Sequence, residues 1–111
     1  MDTEPSICPA IQRAFEILGK KWVSLILHTL LGGQHFYGDL RRAVPKLSDR
    51  VLSQRMKELE SEGLVERIVS QGSPVRVSYR LTPRGAALRP VLEGIAGWAN
   101  DFQAENKETG G

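Results

Sequence analysis

A mainly helical domain carrying one small β-hairpin is the fold this sequence predicts, on three observations. Apolar residues recur at helical spacing in five segments. Two later runs, rich in Val, Ile and Tyr, flank a Gly-Ser-Pro turn, and the second alternates at a period of two. Ser, Thr, Pro and Gly stand where helices start and stop. With 111 residues the chain supports one domain and one modest core.

Each element has its own signature. Ile11, Ala14, Phe15 and Leu18 hold helical spacing over Pro9 to Leu18, and Gly19 ends that helix. Trp22, Leu25, Ile26 and Leu30 repeat the pattern over Lys21 to Leu31, stopped by Gly32-Gly33. A shorter third helix buries Phe36, Leu40, Ala43 and Val44, and Pro45 closes it, because the ring removes a donor and disfavours helix in the preceding residue. Only Lys46 and Leu47 then precede Ser48, which stands as N-cap of a fourth helix that Gly63 and Leu64 terminate. Two helices joined so tightly make a helix-turn-helix. Leu64 to Ser70 and Val75 to Thr82 form a hairpin around Gln71-Gly72-Ser73-Pro74, with Val75, Val77, Tyr79 and Leu81 alternating against Arg76, Ser78 and Arg80. The order of elements is that of a winged helix-turn-helix. Thr82 caps a last helix with Pro83 at its first position; its stripe is Leu88, Val91, Leu92, Ile95, Trp98 and Phe102, and Pro90 is expected to kink it, at about 3 kcal/mol if uncompensated. The expected domain spans 8–102, between a flexible N-terminus, 1–7, and a flexible tail, 103–111.

Charge points to a partner. The net charge is only +2, but between Arg41 and Lys57 six basic residues face one acid, Asp49. Turning about 100° per residue, the fourth helix places Leu52, Met56 and Leu59 on one side and Arg50, Ser53, Gln54 and Lys57 on the other. A guanidinium forks onto guanine, an amide pairs with adenine, and an ammonium suits phosphate. Arg50 and Gln54 are therefore the candidates for base edges, with Ser48 and Ser53 on the same helix. Lys57, Arg41, Arg42 and Lys46 are candidates for phosphates, and Arg76 for a contact from the wing. Arg55, at the edge of the apolar seam, is expected to hold the domain together. The alternatives are a solvated face or a winged helix that binds protein, although a partner-binding face is more often apolar.

Other classes find less support. No apolar run reaches the ~20 residues of a membrane span, and MDTEPSIC does not start like a signal peptide, so a cytoplasmic protein is expected. One cysteine and two histidines give no disulfide framework and no metal-ligand spacing. No phosphate loop, nucleophile elbow or acid–histidine cluster suggests an enzyme, and no cofactor is expected. The final stripe is rich for a small monomer, so Ile11, Phe15, Val91, Leu92, Ile95, Trp98 and Phe102 are expected in a homodimer interface; a lid over the core is the alternative. If Pro9 is the first helical residue, Cys8 occupies the cap, where free N–H groups and the helix dipole favour thiolate, the form electrophiles and oxidants attack.

From Cys8 to about Trp98 the chain resembles the HxlR-type bacterial winged-helix transcriptional regulators. The resemblance rests on Cys8-Pro9, Gly19-Lys20-Lys21-Trp22, Phe36 with Leu40-Arg41, and Ser48, Arg50, Leu52 and Ser53. It continues through Leu59-Glu60, Gly63-Leu64-Val65, Arg67, Pro74, Val77, Tyr79, Leu81-Thr82, Gly85, Leu88 and Trp98. It implies a dimer on an inverted-repeat operator in double-stranded DNA, often repressing neighbouring genes. It also implies a small-molecule or electrophile effector, sensed in some members through a cysteine in the region of Cys8. His35, Lys46-Leu47 and Ser78 depart from the family's usual residues, so operator preference does not carry over.

Overall fold

The computed structural model describes residues 8–109, with side chains described to Gln103. The chain runs α1 (Pro9–Leu18), α2 (Val23–Leu30), β1 (His35–Phe36), α3 (Tyr37–Ala43), α4 (Asp49–Ser61), β2 (Val65–Val69), β3 (Val77–Leu81), α5 (Pro83–Ala86) and α6 (Arg89–Thr109). The expected flexible segment 1–7 lies outside the described residues, as do 110–111. Residues 103–109, placed in the tail by their polarity, continue α6; Ala, Glu, Gln and Lys are good helix formers even where no apolar stripe remains.

The core is one cluster. Val23, Ile26, Leu27 and Leu30 of α2, Leu40 of α3 and Leu52, Met56 and Leu59 of α4 are buried together with Val44, Leu47, Leu64, Val65, Tyr79 and Leu92. Helix α4 is closed at both ends as its sequence requires. Ser48 Oγ accepts from Val51 N at 3.1 Å. At the other end Gly63 takes φ +76°, with Gly63 N donating to Glu60 O and Leu64 N to Leu59 O, both at 3.0 Å. That is the paired Schellman closure, and it turns the chain directly into the wing.

Four expectations change. The second helix starts at Val23 rather than Lys21, because Trp22 takes a left-handed conformation, φ 78°, after the turn at Gly19-Lys20. Phe36 is not on a helical stripe: it is 37% exposed and lies in β1, which pairs with β3 through His35↔Tyr79 and Phe36↔Ser78. The hairpin is thus part of a three-stranded antiparallel sheet in the order β1-β3-β2. As the central strand, β3 has a neighbour on each side, and Ser78, paired with Phe36 on β1 and Ile68 on β2, is buried, its Oγ accepting from Gln34 Nε2 at 2.7 Å. The last helix is also two: α5 ends at Ala86 and α6 starts at Arg89. Pro90 therefore sits in a first turn, where its missing N–H has no helical partner to lose, and no kink is needed. Arg89 Nη2 donates to Leu31 O at 3.0 Å, tying the start of α6 to the end of α2.

Of the residues expected between subunits, Leu92 does not belong there. It is 2% exposed and part of the core. Ile11, Phe15, Val91, Ile95, Trp98 and Phe102 are all exposed on the protomer, and the rings of Trp98 and Phe102 stack at 5.7 Å. Phe15, whose spacing also suits a core, is among the most exposed, because α1 carries no buried residue at all.

Candidate nucleic-acid interface

Burial of Leu52, Met56 and Leu59 orients α4, and the opposite face is set by geometry. Arg50, Gln54 and Lys57 are exposed there, with Ser53 half-buried beside them and Ser48 exposed at the cap. The helix start is fastened to α3: the Tyr37 hydroxyl donates to Asp49, at 2.9 Å from Oδ1 and 3.1 Å from the backbone oxygen. Burial, then the hydrogen bond to Asp49, pushes the Tyr37 phenol up to about 12, so it remains a donor throughout the neutral range.

The charges sort themselves by direction. Glu58 is paired with Lys20 at 2.9 Å and with Arg55 at 3.1 Å, and Glu62 with Arg13. The Lys20 ammonium, and then Arg55, hold the Glu58 carboxyl below its ordinary range. Glu58 and Glu62 are therefore turned toward α1 and the turn before α2, whereas Glu60 is exposed and lines a cleft with Lys57 and Arg67. Arg55 behaves as expected of a structural residue, since its Nε also donates to Lys21 O at 3.0 Å. Among the described residues no ion pair engages Arg50, Lys46, Lys57, Arg67 or Arg76. Positive charge is thus left uncompensated where α4 and the wing face solvent.

The other basic candidates are less free. Arg41 donates to Leu47 O and lies 3.5 Å from Asp49 Oδ1, so it braces the turn between α3 and α4. Arg42 is exposed but pairs with Asp39 on its own helix. Lys46 is exposed in the turn. Arg76, at the base of the wing turn, lies over the ring of Phe36 at 3.6 Å.

A cleft of about 460 Å³ separates α4 from the sheet, lined by Tyr37, Ser53, Met56, Lys57, Glu60, Arg67, Val77 and Tyr79. Of these, Tyr37 and Arg67 bear on the site and were not singled out for it from the sequence. Tyr37 reads as one more aromatic near a helix start. Arg67 lies on β2 opposite Tyr79, on the sheet face that also carries the buried Val65; alternation gives that face, but only the packing of α4 against the sheet sets Arg67 beside Lys57. The arrangement offers a guanidinium, an amide and hydroxyls on one helix face, flanked by an ammonium and further guanidinium groups. It suits base edges bordered by phosphates.

Cys8 is the N-cap residue of α1 and is exposed. Its sulfur makes no capping hydrogen bond of ordinary geometry, yet the backbone N–H groups of Ile11 and then Ala10 hold the thiol below its usual range. Among the described residues no three His, Cys, Asp or Glu side chains stand close enough to hold a metal ion, and no helix is long and apolar enough to cross a membrane.

Comparison with known proteins agrees with this geometry. YvaP of Bacillus subtilis strain 168, an uncharacterized HTH-type transcriptional regulator, is 46% identical over 99 residues, covering 89% of this chain and 92% of its own length. The HTH-type transcriptional regulator YodB from the same organism is 39% identical over 97 residues, 87% of each chain. The reduced form of YodB superposes with a TM-score of 0.77 over 87% of this chain and 95% of its own. YodB has also been solved diamide-treated and quinone-bound, each with a TM-score of 0.74. The oxidized form of the redox regulator HypR, at 29% identity, gives 0.80 over 85% of this chain and 96% of that one. The HxlR-like helix-turn-helix model matches residues 17–107. Helix, turn, recognition helix and wing thus agree in sequence and in three dimensions, and this chain belongs to the HxlR-like helix-turn-helix family of transcriptional regulators.

Proposed function

We propose that the chain acts as a homodimeric repressor that reads an inverted-repeat operator and yields to a reactive or small-molecule signal. One observation carries this reading: the exposed, unpaired Arg50 and Lys57 flank Gln54 on a helix capped at both ends, with Arg76 reaching from the wing. Arg50 and Gln54 read base edges; Ser48, Ser53, Lys57, Lys46 and Arg76 hold backbone; Arg41 and Arg42 add charge from α3 while keeping their internal partners. Two-fold symmetry sets the two recognition helices about 34 to 36 Å apart, so the operator is palindromic.

Selection of bound duplexes from genomic fragments, followed by affinity against salt, tests the reading. An inverted repeat with a steep loss of affinity as salt rises is the expected result. On that site Arg50→Ala is expected to lose about 1 to 3 kcal/mol and to relax preference at one position, whereas Lys57→Ala weakens all sequences alike. No enrichment of any duplex moves the fold to a protein-binding role.

The signal is assigned to Cys8. An exposed thiol held toward thiolate at a helix start is the form that electrophiles and oxidants attack. The existence of an oxidized form of the redox regulator HypR and a quinone-bound form of YodB supports the same assignment. With one cysteine per chain, the product is an adduct or a bridge between subunits. Alkylation of the reduced protein is expected to change operator affinity at least severalfold, and to do nothing in Cys8→Ser; unchanged affinity in the native chain removes the thiol from the reading.

A further inference from the structure

Phe36 is exposed enough for its ring to face solvent, yet one face of that ring is occupied by the guanidinium of Arg76, with Cζ 3.6 Å from the centroid. Arg76 is held at its other end as well. Its N–H donates to Ser70 Oγ at 2.8 Å, and its carbonyl accepts from Ser70 N at 2.8 Å, so its backbone is fixed to the strand across the turn. Both the root and the tip of this side chain are therefore placed, while the rest of the wing turn, Gln71 to Val75, is exposed.

Stacking also leaves the donors free. A guanidinium meets an aromatic ring through its face, whereas its five N–H groups lie in its plane and point outward. No acid pairs with Arg76 among the described residues. A cation placed in this way keeps its charge and its hydrogen bonds for an external anion, with less rotamer freedom left to lose on binding.

The position of Phe36 extends this. It is the last residue of β1 and the N-cap of α3, and its neighbour Tyr37 fastens the start of the recognition helix through Asp49. Adjacent residues thus grip the two DNA-facing parts of the fold, Tyr37 the recognition helix and Phe36 the wing. We propose that Phe36 is a positioning residue for DNA binding: through its stack with Arg76 it fixes the wing's cation at a set distance from α4, so that both meet the same stretch of backbone. This rests on the DNA-binding reading above.

The test is a double-mutant cycle on the selected operator, using the full chain. Phe36→Leu is expected to weaken binding roughly three- to tenfold and to lower the salt slope by about one, as Arg76→Ala does. The double variant is expected to bind no worse than Arg76→Ala alone, and Phe36→Tyr, which keeps the ring face, to bind as the native chain does. In the free protein, NMR should find the Arg76 side-chain protons shifted upfield by the ring current, a shift that Phe36→Leu removes and Phe36→Tyr keeps; its absence in the native chain overturns the stack without any DNA. Additive losses in the cycle, or an unaltered salt slope in Phe36→Leu, overturn the positioning role alone. Failure of the native chain to bind any duplex overturns this role together with the function it rests on.

Discussion

Gly85→Ala is expected to destabilise the domain by about 3 kcal/mol or more, a fall in Tm of roughly 10 to 20 °C. The cause is not backbone conformation, since Gly85 lies in α5 and has no positive φ. A Cβ there would stand 2.1 Å from Leu64 O, 3.1 Å from Leu64 C and 3.2 Å from Leu81 Cδ2. The nearest of these is backbone and cannot rotate away. Nor can it slide: Leu64 N closes the Schellman motif of α4 on Leu59 O, and Leu64 O accepts from Thr82 N at 3.1 Å. Thr82 adds a second clasp, its Oγ1 donating to Gly63 O at 2.6 Å while accepting from Gly85 N at 3.1 Å. An alanine must therefore push α5 off the end of the recognition helix and break hydrogen bonds on both sides. Gly72→Ala, where a Cβ meets nothing within 4 Å, is the control and should leave Tm nearly unchanged. Thermal melts of the two variants at one protein concentration settle the matter; equal melts would mean that the α5 contact relaxes freely.

That junction was legible in part. Ser48, Gly63 and Thr82 carry local chemistry, a side-chain oxygen for free amides or freedom to take positive φ, so the boundaries of α4 and the start of α5 follow from a few residues each. The start of α1 was readable from Pro9 at its first position, and Gly19 follows its last residue without taking positive φ. What could not be read depends on partners distant in the chain. Two residues, His35 and Phe36, make too short a run for a strand pattern, and only β3 turns them into one. Burial of Ser78 follows from β3 being flanked on both sides, a property of the sheet and not of the alternation within the strand.

The candidate site divides in the same way. Helical rotation puts Arg50, Gln54 and Lys57 on the outer face of α4 as soon as Leu52, Met56 and Leu59 are assigned to the core. Rotation says nothing of neighbours. It did not pair Arg41 with the turn, turn Glu58 and Glu62 toward Lys20 and Arg13, or lay Arg76 on Phe36, because each of these links separate elements. The last helix misled for a different reason. Its apolar residues form two adjoining seams: Leu88 and Leu92, with the half-buried Ala96 and Ala99, face the fold, while Val91, Ile95, Trp98 and Phe102 do not. Read as one stripe, they assign Leu92 to the wrong side.

The outward seam leads to the second large effect. Introducing Ile95→Glu and Trp98→Glu together is expected to turn the proposed homodimer into a folded monomer and to lower affinity for the proposed inverted repeat by about 100-fold or more, with half-site affinity preserved. Val91, Ile95, Trp98 and Phe102 are spaced four, three and four residues apart, the spacing of one face of a helix that packs against another. They are 46%, 49%, 68% and 50% exposed, and Ile11 and Phe15 on α1 are 54% and 71% exposed. So much aromatic and aliphatic surface on a protomer of this size is the mark of an interface. Four carboxylates gathered near a two-fold axis would have to be desolvated beside one another, which association through this face cannot repay. The protomer should survive, because its core touches α6 through Leu92 instead. Leu92→Ala separates the two seams: it is expected to cost about 2 to 5 kcal/mol of stability while leaving the folded chain dimeric. Sedimentation of the native and doubly substituted chains decides it, and a double variant that still sediments as a dimer places the two-fold elsewhere and leaves α6 as a lid.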